Sequence, residues 1–484
     1  MILAENPETT SNYRCVATAM TIGRTLGHVF PSLYMLLFVL PQAWPQENIT
    51  DISALLMDLL IQQRLDTIAT ENKMGIWVSF RAGNRTMEGS SAFGYSSVET
   101  PTPAAVGDIV PAGSITKTFT ATAILRLVEA GALSLDDPIT ARANDFFGKM
   151  LGSNKTLEDL YGPPVSNLTL RMLLSMQGGQ SDYNNSLVKE MGIEHPLHDI
   201  TPQEYLSNST IVNYSVWRCQ STNSSCDPPR YNSMGFLLLG LALGQQLGLS
   251  RWEAVDQLTA AIPPELAEAY EKLGVLFFKH GPCSEYPRVA HFYDLINGEY
   301  VDQYHTSCLN GWAFGNIGIS ARAATAFYGD LLGSSPLILN RETVLQMQQW
   351  GEILAGHEWE RYGLGLMWLP MQQYAHFDAT VPGAEPFLYA SGHAGADYGS
   401  YAHSGYHPAL DASYAIIMNK ANGLLLDGQP IKSDHIFCRA YRAIFQLSGH
   451  GTIGDAALKC DTVPPGPRAK PTGYTGGVAK YRYR

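Results

Sequence analysis

Segments typical of β-strands lie near both ends of this chain, whereas its long middle has a mainly helical pattern. Residues 76–80 and 90–95 form two strand-like segments joined by a polar turn, and residues 415–418 form an apolar strand-like segment far along the sequence. Between them, from about residue 140 to about residue 335, the pattern is mixed and mainly helical. This arrangement predicts one sheet built from both ends of the chain, with a helical domain inserted.

The first 46 residues have the pattern of a targeting segment. Their apolar run at 29–40 is too short for a comfortable membrane span and is typical of the apolar centre of a signal peptide. Initiation at Met20 would give a signal of more ordinary length, and an uncleaved signal anchor is the alternative. We therefore predict a signal peptide or anchor at 1–46, a folded domain at 47–461 and a flexible Pro/Gly-rich tail at 462–484.

Glycosylation sequons and cysteines also indicate export into an oxidising compartment. Eight Asn-x-Ser/Thr sequons are present, at Asn48, Asn84, Asn154, Asn167, Asn184, Asn208, Asn213 and Asn223. After Cys15 the cysteines are even in number: Cys219, Cys226, Cys283, Cys308, Cys438 and Cys460. Pairing of sequence neighbours costs the least loop entropy, although other connectivities stay open. We predict disulfides in a secreted protein, with a membrane-anchored ectodomain as the alternative.

Charge and motif content exclude several other classes of function. The formal net charge is −12, so we expect no nucleic acid partner, and no membrane partner unless the N-terminal segment stays uncleaved. The sequence contains no His-Glu-x-x-His motif, Cys-x-x-Cys pair, P-loop or dinucleotide fingerprint. His195 and His198 lie near acidic residues, but in a loop-like stretch. We therefore expect no metal and no cofactor.

The main candidate for chemistry is Ser114, which begins a strongly helical segment that stops at Gly131. Lys117 lies three residues later, so the two side chains share one face of the helix, one turn apart. The helix N-terminus adds a positive field and free N–H groups beside the hydroxyl. A lysine that loses hydration there can accept the serine proton and so make the serine a nucleophile. The alternative interpretation is an N-capping serine beside a surface lysine.

A second Ser-x-x-Lys sequence, formed by Ser186 and Lys189, shows how readily this spacing arises. Ser186 belongs to the Asn184 sequon, and no long apolar helix follows it. We therefore assign no catalytic role to this pair.

Several segments, in order along the chain, carry a resemblance to a known family. They are residues 109–120 with 131–138, 170–183, 230–240, 315–322, 362–366, and 392–400 with 418–419. In these segments the chain resembles the superfamily of serine β-lactamases and penicillin-binding proteins. The branch it resembles contains class C β-lactamases, D-alanyl-D-alanine carboxypeptidases and related esterases (peptidase family S12). The similarity spans about residues 50–447.

The resemblance implies an α/β fold in which a mainly antiparallel sheet flanked by helices lies beside an all-helical domain, with the active site between them. It also implies that Lys117 and Tyr231 handle the proton of Ser114. A tyrosine near a lysine ammonium is favoured as a phenolate, or as a strong hydrogen-bond relay. Ser233 stands where the family has an asparagine that orients substrate amides. A hydroxyl cannot present the same donor and acceptor pair, which puts β-lactam or peptide recognition in doubt more than acyl transfer.

The third motif of the family corresponds to His393, Ala394 and Gly395, where many relatives have Lys-Thr-Gly and others His-Thr-Gly. We expect His393 to donate to Tyr231 or to substrate and to titrate near neutrality. Gly395 is expected to leave room for substrate along the strand. The missing hydroxyl at Ala394 weakens the case for substrates that carry a carboxylate. His403 begins a similar sequence. We prefer His393, because Gly399 and Ser400 then lie where the family has a glycine and a serine.

The resemblance implies acyl transfer without a cofactor. Ser114 attacks an ester or amide carbonyl, and the backbone N–H groups of Ser114 and Ala396 form the oxyanion hole. The sequence thus predicts a secreted serine hydrolase or acyltransferase that acts on a small-molecule ester, amide or peptide. A catalytically silent member of the superfamily, used as a binding or scaffold protein, is the alternative, and acylation of Ser114 separates the two.

Overall fold

The computed structural model describes residues 49–82, 84–217 and 228–461. Several sequence predictions lie outside these ranges: the targeting segment at 1–46, the tail at 462–484, the sequons at Asn48 and Asn223, and the pair Cys219 and Cys226. Within the described ranges no helix is both long enough and apolar enough to cross a membrane.

The helices are distributed along the whole described chain. In order they are α1 Ser53–Gln62, α2 Leu65–Glu71, α3 Thr116–Glu129, α4 Ile139–Leu151, α5 Leu157–Tyr161, α6 Leu170–Leu174, α7 Asn185–Glu194, α8 Pro202–Tyr205, α9 Ser233–Gln246, α10 Gln257–Ala261, α11 Pro264–Leu273, α12 Ala321–Leu332, α13 Arg341–Met347, α14 Met371–Tyr374, α15 Ser433–Leu447 and α16 Gly451–Ala457.

The strands are concentrated toward the two ends of the domain. In order they are β1 Thr50–Asp51, β2 Gly75–Ala82, β3 Met87–Ser97, β4 Thr102–Pro103, β5 Val110–Gly113, β6 Val275–Phe277, β7 Tyr293–Ile296, β8 Glu299–Asp302, β9 Ile317–Ile319, β10 Arg361–Tyr362, β11 Met367–Pro370, β12 Tyr389–Asp397, β13 Ser400–His407, β14 Ala412–Met418, β15 Leu424–Leu426 and β16 Gln429–Ile431.

The main sheet joins strands from both ends of the chain, as predicted. Among the described residues its order is β1-β3-β2-β14-β13-β12-β11-β10, with β4 paired to β3. Neighbouring strands are antiparallel, apart from the short parallel pair of β1 with β3. At the centre β2 pairs with β14, so that Ser79 lies opposite Ala415. The predicted class, α/β with a mainly antiparallel sheet flanked by helices, is confirmed.

Helices cover the central strands of this sheet. Strands β2 and β14 are buried at every position, although their successive side chains point to opposite faces. Helix α12 packs against β2, β13 and β14, whereas α1 and α2 pack against β3, and α15 packs against α1. The two-sided burial explains why residues 415–418 of β14 form a continuous apolar run in the sequence.

The helical region is organised around α9. This helix is apolar on all sides, and its residues from Ser233 to Gly244 are buried. It packs against α3, α4 and α6, which places the helical region directly beside the helix that follows Ser114.

The helical region ends earlier than the predicted boundary near residue 335. Short strands β6 to β9 follow α11, and α12 packs on the main sheet. The predicted C-terminal boundary is therefore wrong. An amphipathic helix has the same sequence pattern whether a sheet or another helix covers its apolar face.

Two disulfides join sequence neighbours in the described chain. They are Cys283–Cys308 and Cys438–Cys460, as the loop-entropy argument predicts. Most sequon asparagines are exposed, namely Asn84, Asn154, Asn167, Asn184 and Asn213, and Asn208 is partly exposed. Glycosylation itself stays a prediction.

Candidate active site

Ser114 lies in the turn between β5 and α3, close to the backbone of β12. The preceding Gly113 has φ +49°, and a Cβ there would lie 2.2 Å from the carbonyl oxygen of Ala396. Only glycine allows this conformation and this close approach without strain. The contact therefore brings Ser114 beside the third motif, which comes from the other end of the chain.

Lys117 is fully buried, and its amino group faces the nucleophile. Nζ donates to Ser114 Oγ at 2.9 Å and to the carbonyl oxygen of Phe314 at 3.1 Å. It also lies 4.9 Å from the centre of the Tyr231 ring. Burial lowers the pKa of Lys117 from 10.5 to about 7, and the charge of Asp182 opposes this decrease. Near neutral pH this amine is therefore able to accept a proton.

Tyr231 is the third member of the predicted proton-handling group. Its side chain is hydrogen-bonded to that of Ser114. Burial raises the pKa of Tyr231 well above its usual value, and the hydrogen bond to Ser114 only partly opposes this rise. Burial therefore favours the neutral hydroxyl of Tyr231 over the phenolate. The structure fits the alternative form, a neutral hydroxyl that relays protons.

Asp182 has a position that the sequence analysis did not assign to it. Its Oδ1 accepts backbone N–H bonds from Ser233 at 3.0 Å, Met234 at 3.2 Å and Tyr183 at 3.0 Å. It thus caps α9, where free N–H groups and the helix dipole favour a negative charge. Burial raises the pKa of Asp182, and the charge of Lys117 opposes that rise. No local motif indicates this role, because it depends on the packing of two distant segments.

The second motif is organised by side chains that hold the start of α9. Asn232 donates from Nδ2 to the carbonyl oxygen of Gln180 at 2.6 Å, and its Oδ1 accepts the N–H of Gly235 at 2.8 Å. Ser233 follows as the first residue of α9 and is only 5% exposed. Asn232 is thus a helix cap, and substrate contact by Ser233 stays a prediction.

His393 lies behind the nucleophile and is completely buried. Its Nδ1 donates to the carbonyl oxygen of Ala394 at 2.5 Å, so its Nε2 accepts from the Tyr362 hydroxyl at 2.9 Å. Its ring centre is 6.3 Å from that of Tyr231. Burial, together with the charge of Lys117, lowers the pKa of His393 to about 3. The expectations that His393 titrates near neutrality and donates to Tyr231 are therefore wrong, because it is a neutral group held by Tyr362.

Gly395 is needed for packing. A Cβ at this position would lie 1.9 Å from the carbonyl oxygen of Ala112 in β5. The expectation that Gly395 leaves room for substrate is therefore wrong, because the backbone of β5 fills that space. By contrast, Ala394 and Ala396 are partly exposed. Alternation along the strand thus turns these two residues toward the accessible side of β12.

The second Ser-x-x-Lys sequence and the sequence that begins at His403 both have other contacts than the candidate site. Lys189 forms an ion pair with Asp294 at 2.5 Å, and Ser186 is exposed. His403 is buried, and the Tyr441 hydroxyl lies 3.1 Å from its Nδ1.

The chain is similar to known proteins in both sequence profile and fold. The beta-lactamase family profile matches residues 75–426. The D-amino acid amidase of Ochrobactrum anthropi SV3 is similar with a TM-score of 0.59 and 18% identity, over 81% of this chain and 99% of that chain. The octameric penicillin-binding protein homologue of Pyrococcus abyssi is similar with a TM-score of 0.56 and 22% identity, over 84% of this chain and 78% of that chain.

A D-stereospecific amidohydrolase of a Streptomyces species is also similar, with a TM-score of 0.54 and 20% identity, over 74% of this chain and 93% of that chain. At these identities the solved structures show a shared fold. The profile match extends over well over half of the sequence. The chain belongs to the beta-lactamase family.

Proposed function

We propose that the protein is a secreted serine hydrolase or acyltransferase that forms an acyl-enzyme on Ser114 with a neutral ester or amide substrate. The observation that carries this proposal is the contact between Lys117 and Ser114. A fully buried amine with a pKa of about 7 lies 2.9 Å from the hydroxyl oxygen. A nucleophile that forms a hydrogen bond with a base of suitable pKa is the arrangement that acyl transfer requires.

In the acylation step, the neutral amine of Lys117 takes the proton of Ser114, and Oγ forms a bond to the substrate carbonyl carbon. The backbone N–H groups of Ser114 and Ala396 stabilise the oxyanion. When the tetrahedral intermediate collapses, the bond to the leaving group breaks. The proton passes from Lys117 through the Tyr231 hydroxyl to the leaving amine or alcohol, so no charge accumulates.

In the transfer step, water or an alcohol occupies the place of the leaving group. Its proton passes through Tyr231 to Lys117 while its oxygen attacks the acyl carbon. The bond to Ser114 Oγ then breaks, and Oγ recovers the proton from Lys117. The same groups therefore act in both directions.

The substrate is proposed to lack a carboxylate at the position where β-lactams carry one. Ala394 provides no hydroxyl there, and Ser233 provides no carboxamide. Two lysines near the site have other partners, since Lys117 is buried against Ser114 and Lys189 pairs with Asp294. The similar amidase was solved with D-phenylalanine and with L-phenylalanine amide, and a small amide is an equivalent candidate here.

A pocket near the end of β12 is a candidate site for the part of the substrate that lies away from the reacting bond. It is open to solvent and reaches Tyr398, two residues beyond Ala396. Apolar walls from Ile193, Ile200 and Leu309 accompany the ion pair of Lys189 with Asp294. Mixed walls of this kind fit an uncharged group with both apolar and polar parts.

Secretion is supported by two observations on the folded domain. Both described disulfides are of the kind that persists in oxidising compartments. Five of the sequon asparagines are exposed, so the folded domain has room for a glycan attached to each of them.

The test is intact-mass analysis of deglycosylated protein after exposure to p-nitrophenyl acetate, a fluorophosphonate and a penicillin. The Ser114→Ala variant is the negative control, and Ser186→Ala is the matched control for the second Ser-x-x-Lys sequence. We expect an adduct on wild type and on Ser186→Ala, none on Ser114→Ala, and faster labelling by the neutral ester than by the penicillin. Folded wild-type protein without any adduct would instead favour a silent binding protein.

A further inference from the structure

Two histidines and an aspartate converge in a region that the catalytic proposal does not use. His376 follows α14, whereas Asp434 and His435 lie in the first turn of α15. One ring nitrogen of each histidine and one oxygen of Asp434 lie within 4.8 Å of one another. Residues from two separate segments therefore point their donor atoms at a common volume.

One nitrogen of each imidazole there has no hydrogen-bond partner among the protein groups. Nε2 of His376 and Nε2 of His435 are both buried without a hydrogen-bond partner. His435 is 5% exposed, so water has little access to it. Buried polar atoms nearly always have a hydrogen-bond partner, so an unpaired one indicates a bound water or ion, or local strain. Of these two atoms, Nε2 of His376 approaches Asp434, whereas His435 approaches Asp434 through its other nitrogen, Nδ1, and the two ring centres are 4.9 Å apart.

The spacing fits a first-row divalent cation. Bonds of about 2.0–2.1 Å in a tetrahedral zinc site place neighbouring ligand atoms about 3.3 Å apart. Nε2 of His376 lies 3.4 Å from Oδ1 of Asp434, and Nδ1 of His435 lies 3.0 Å from the same oxygen. Two imidazoles and one carboxylate suit Zn²⁺, and the absence of redox chemistry at Zn²⁺ is compatible with an oxidising compartment.

We propose that His376, Asp434 and His435 bind one Zn²⁺ ion that fastens the segment after α14 to the start of α15. A water molecule would complete the coordination. The fold already brings these elements together, since α14 packs against α15 and the Asp378 N–H donates to the carbonyl oxygen of Ala457, at the end of α16, at 2.8 Å. The ion is structural, and it plays no part in the chemistry at Ser114.

A second group in the described chain provides an internal comparison. Glu99, His291 and Asp302 also converge, but they include only one imidazole. Nδ1 of His291 is 2.7 Å from Asp302, and its ring stacks on that of Tyr304. A His291→Ala variant therefore removes a carboxylate-bound histidine without touching the proposed ligands.

The experiment uses the full secreted chain, without a polyhistidine tag, after treatment with a chelator. Isothermal titration with ZnCl₂ should give one equivalent of binding for wild type and for His291→Ala, and none for His376→Ala or Asp434→Asn. Saturating Zn²⁺ should raise the thermal midpoint of wild type and leave that of the two ligand variants unchanged.

Asp434→Asn keeps the shape of the side chain, so it tests the site even if His376→Ala does not fold. Far-UV circular dichroism identifies the folded variants. The proposal is overturned if folded wild type binds no Zn²⁺, if Asp434→Asn or folded His376→Ala binds one equivalent, or if binding disappears in His291→Ala. Acylation of Ser114 should be the same with and without Zn²⁺, so failure of this proposal is separate from failure of the catalytic one.

Discussion

Nζ of Lys117 lies 2.9 Å from Oγ of Ser114, in a side chain with no exposed surface. The two groups come from the same turn of chain, so their separation is fixed by β5 and α3 and does not depend on a mobile loop. The proposed base and the proposed nucleophile are thus positioned before any substrate binds. Such preorganisation removes part of the entropic cost of the reaction.

Replacing Lys117 with methionine should abolish most of the acylation and keep the fold. An apolar side chain of similar length avoids the cost of a buried amine, whereas the loss of the base should slow acylation by about 10²–10⁴-fold. Stopped-flow release of p-nitrophenol measures this rate. Lys420→Met is the matched control, because burial also lowers the pKa of Lys420, to about 8, outside the site. Equal rates in wild type and Lys117→Met would refute the role of the lysine.

The acylation rate should rise with pH through an inflection near 7. The pKa of Lys117 is lowered to about 7, so the amine is protonated and inactive as a base below that pH, and neutral above it. His393 should contribute no inflection in this range, since its pKa is lowered to about 3. A pre-steady-state profile from pH 5 to 9 checks this, and an inflection that persists in Lys117→Met would contradict the assignment.

Asp182→Asn should move the inflection of the rate to lower pH. The charge of Asp182 raises the pKa of Lys117 against the effect of burial, so its removal favours the neutral amine. The carboxamide oxygen can still accept the backbone N–H groups at the start of α9, so we expect a loss of stability of only about 1 kcal/mol. A fall in thermal stability with an unchanged pH profile would show that Asp182 is only a helix cap.

Ala394→Thr should increase labelling by substrates that bear a carboxylate. The position is partly exposed on β12, and a hydroxyl there can donate to a carboxylate. A hydrogen bond to a charged group contributes about 1.5–3 kcal/mol, which corresponds to roughly ten- to a hundredfold. The ratio of penicillin to p-nitrophenyl acetate acylation rates measures the change. A ratio that stays at the wild-type value would show that Ala394 does not determine this preference.

The parts of the structure that follow from local pattern could be predicted from the sequence. The strands at the two ends, the helix after Ser114 and the spacing of Lys117 each depend on neighbouring residues. The environment of His393 could not be predicted, because its bond to Tyr362 depends on the sheet order, in which β11 lies between β12 and β10. The role of Gly395 depends in the same way on β5, and Asp182 gains its function only when α9 folds over it.

The contact of Gly113 with Ala396 also has a consequence for biosynthesis. Ser114, the proposed nucleophile, is synthesised early. Strand β12, whose Ala396 provides half of the proposed oxyanion hole, is synthesised only after most of the domain. Domains fold as units during synthesis, so a nascent chain that stops before β12 would carry Ser114 without a completed site. The proposed acyl transfer would therefore have to wait until the last central strands of the sheet have been made and paired.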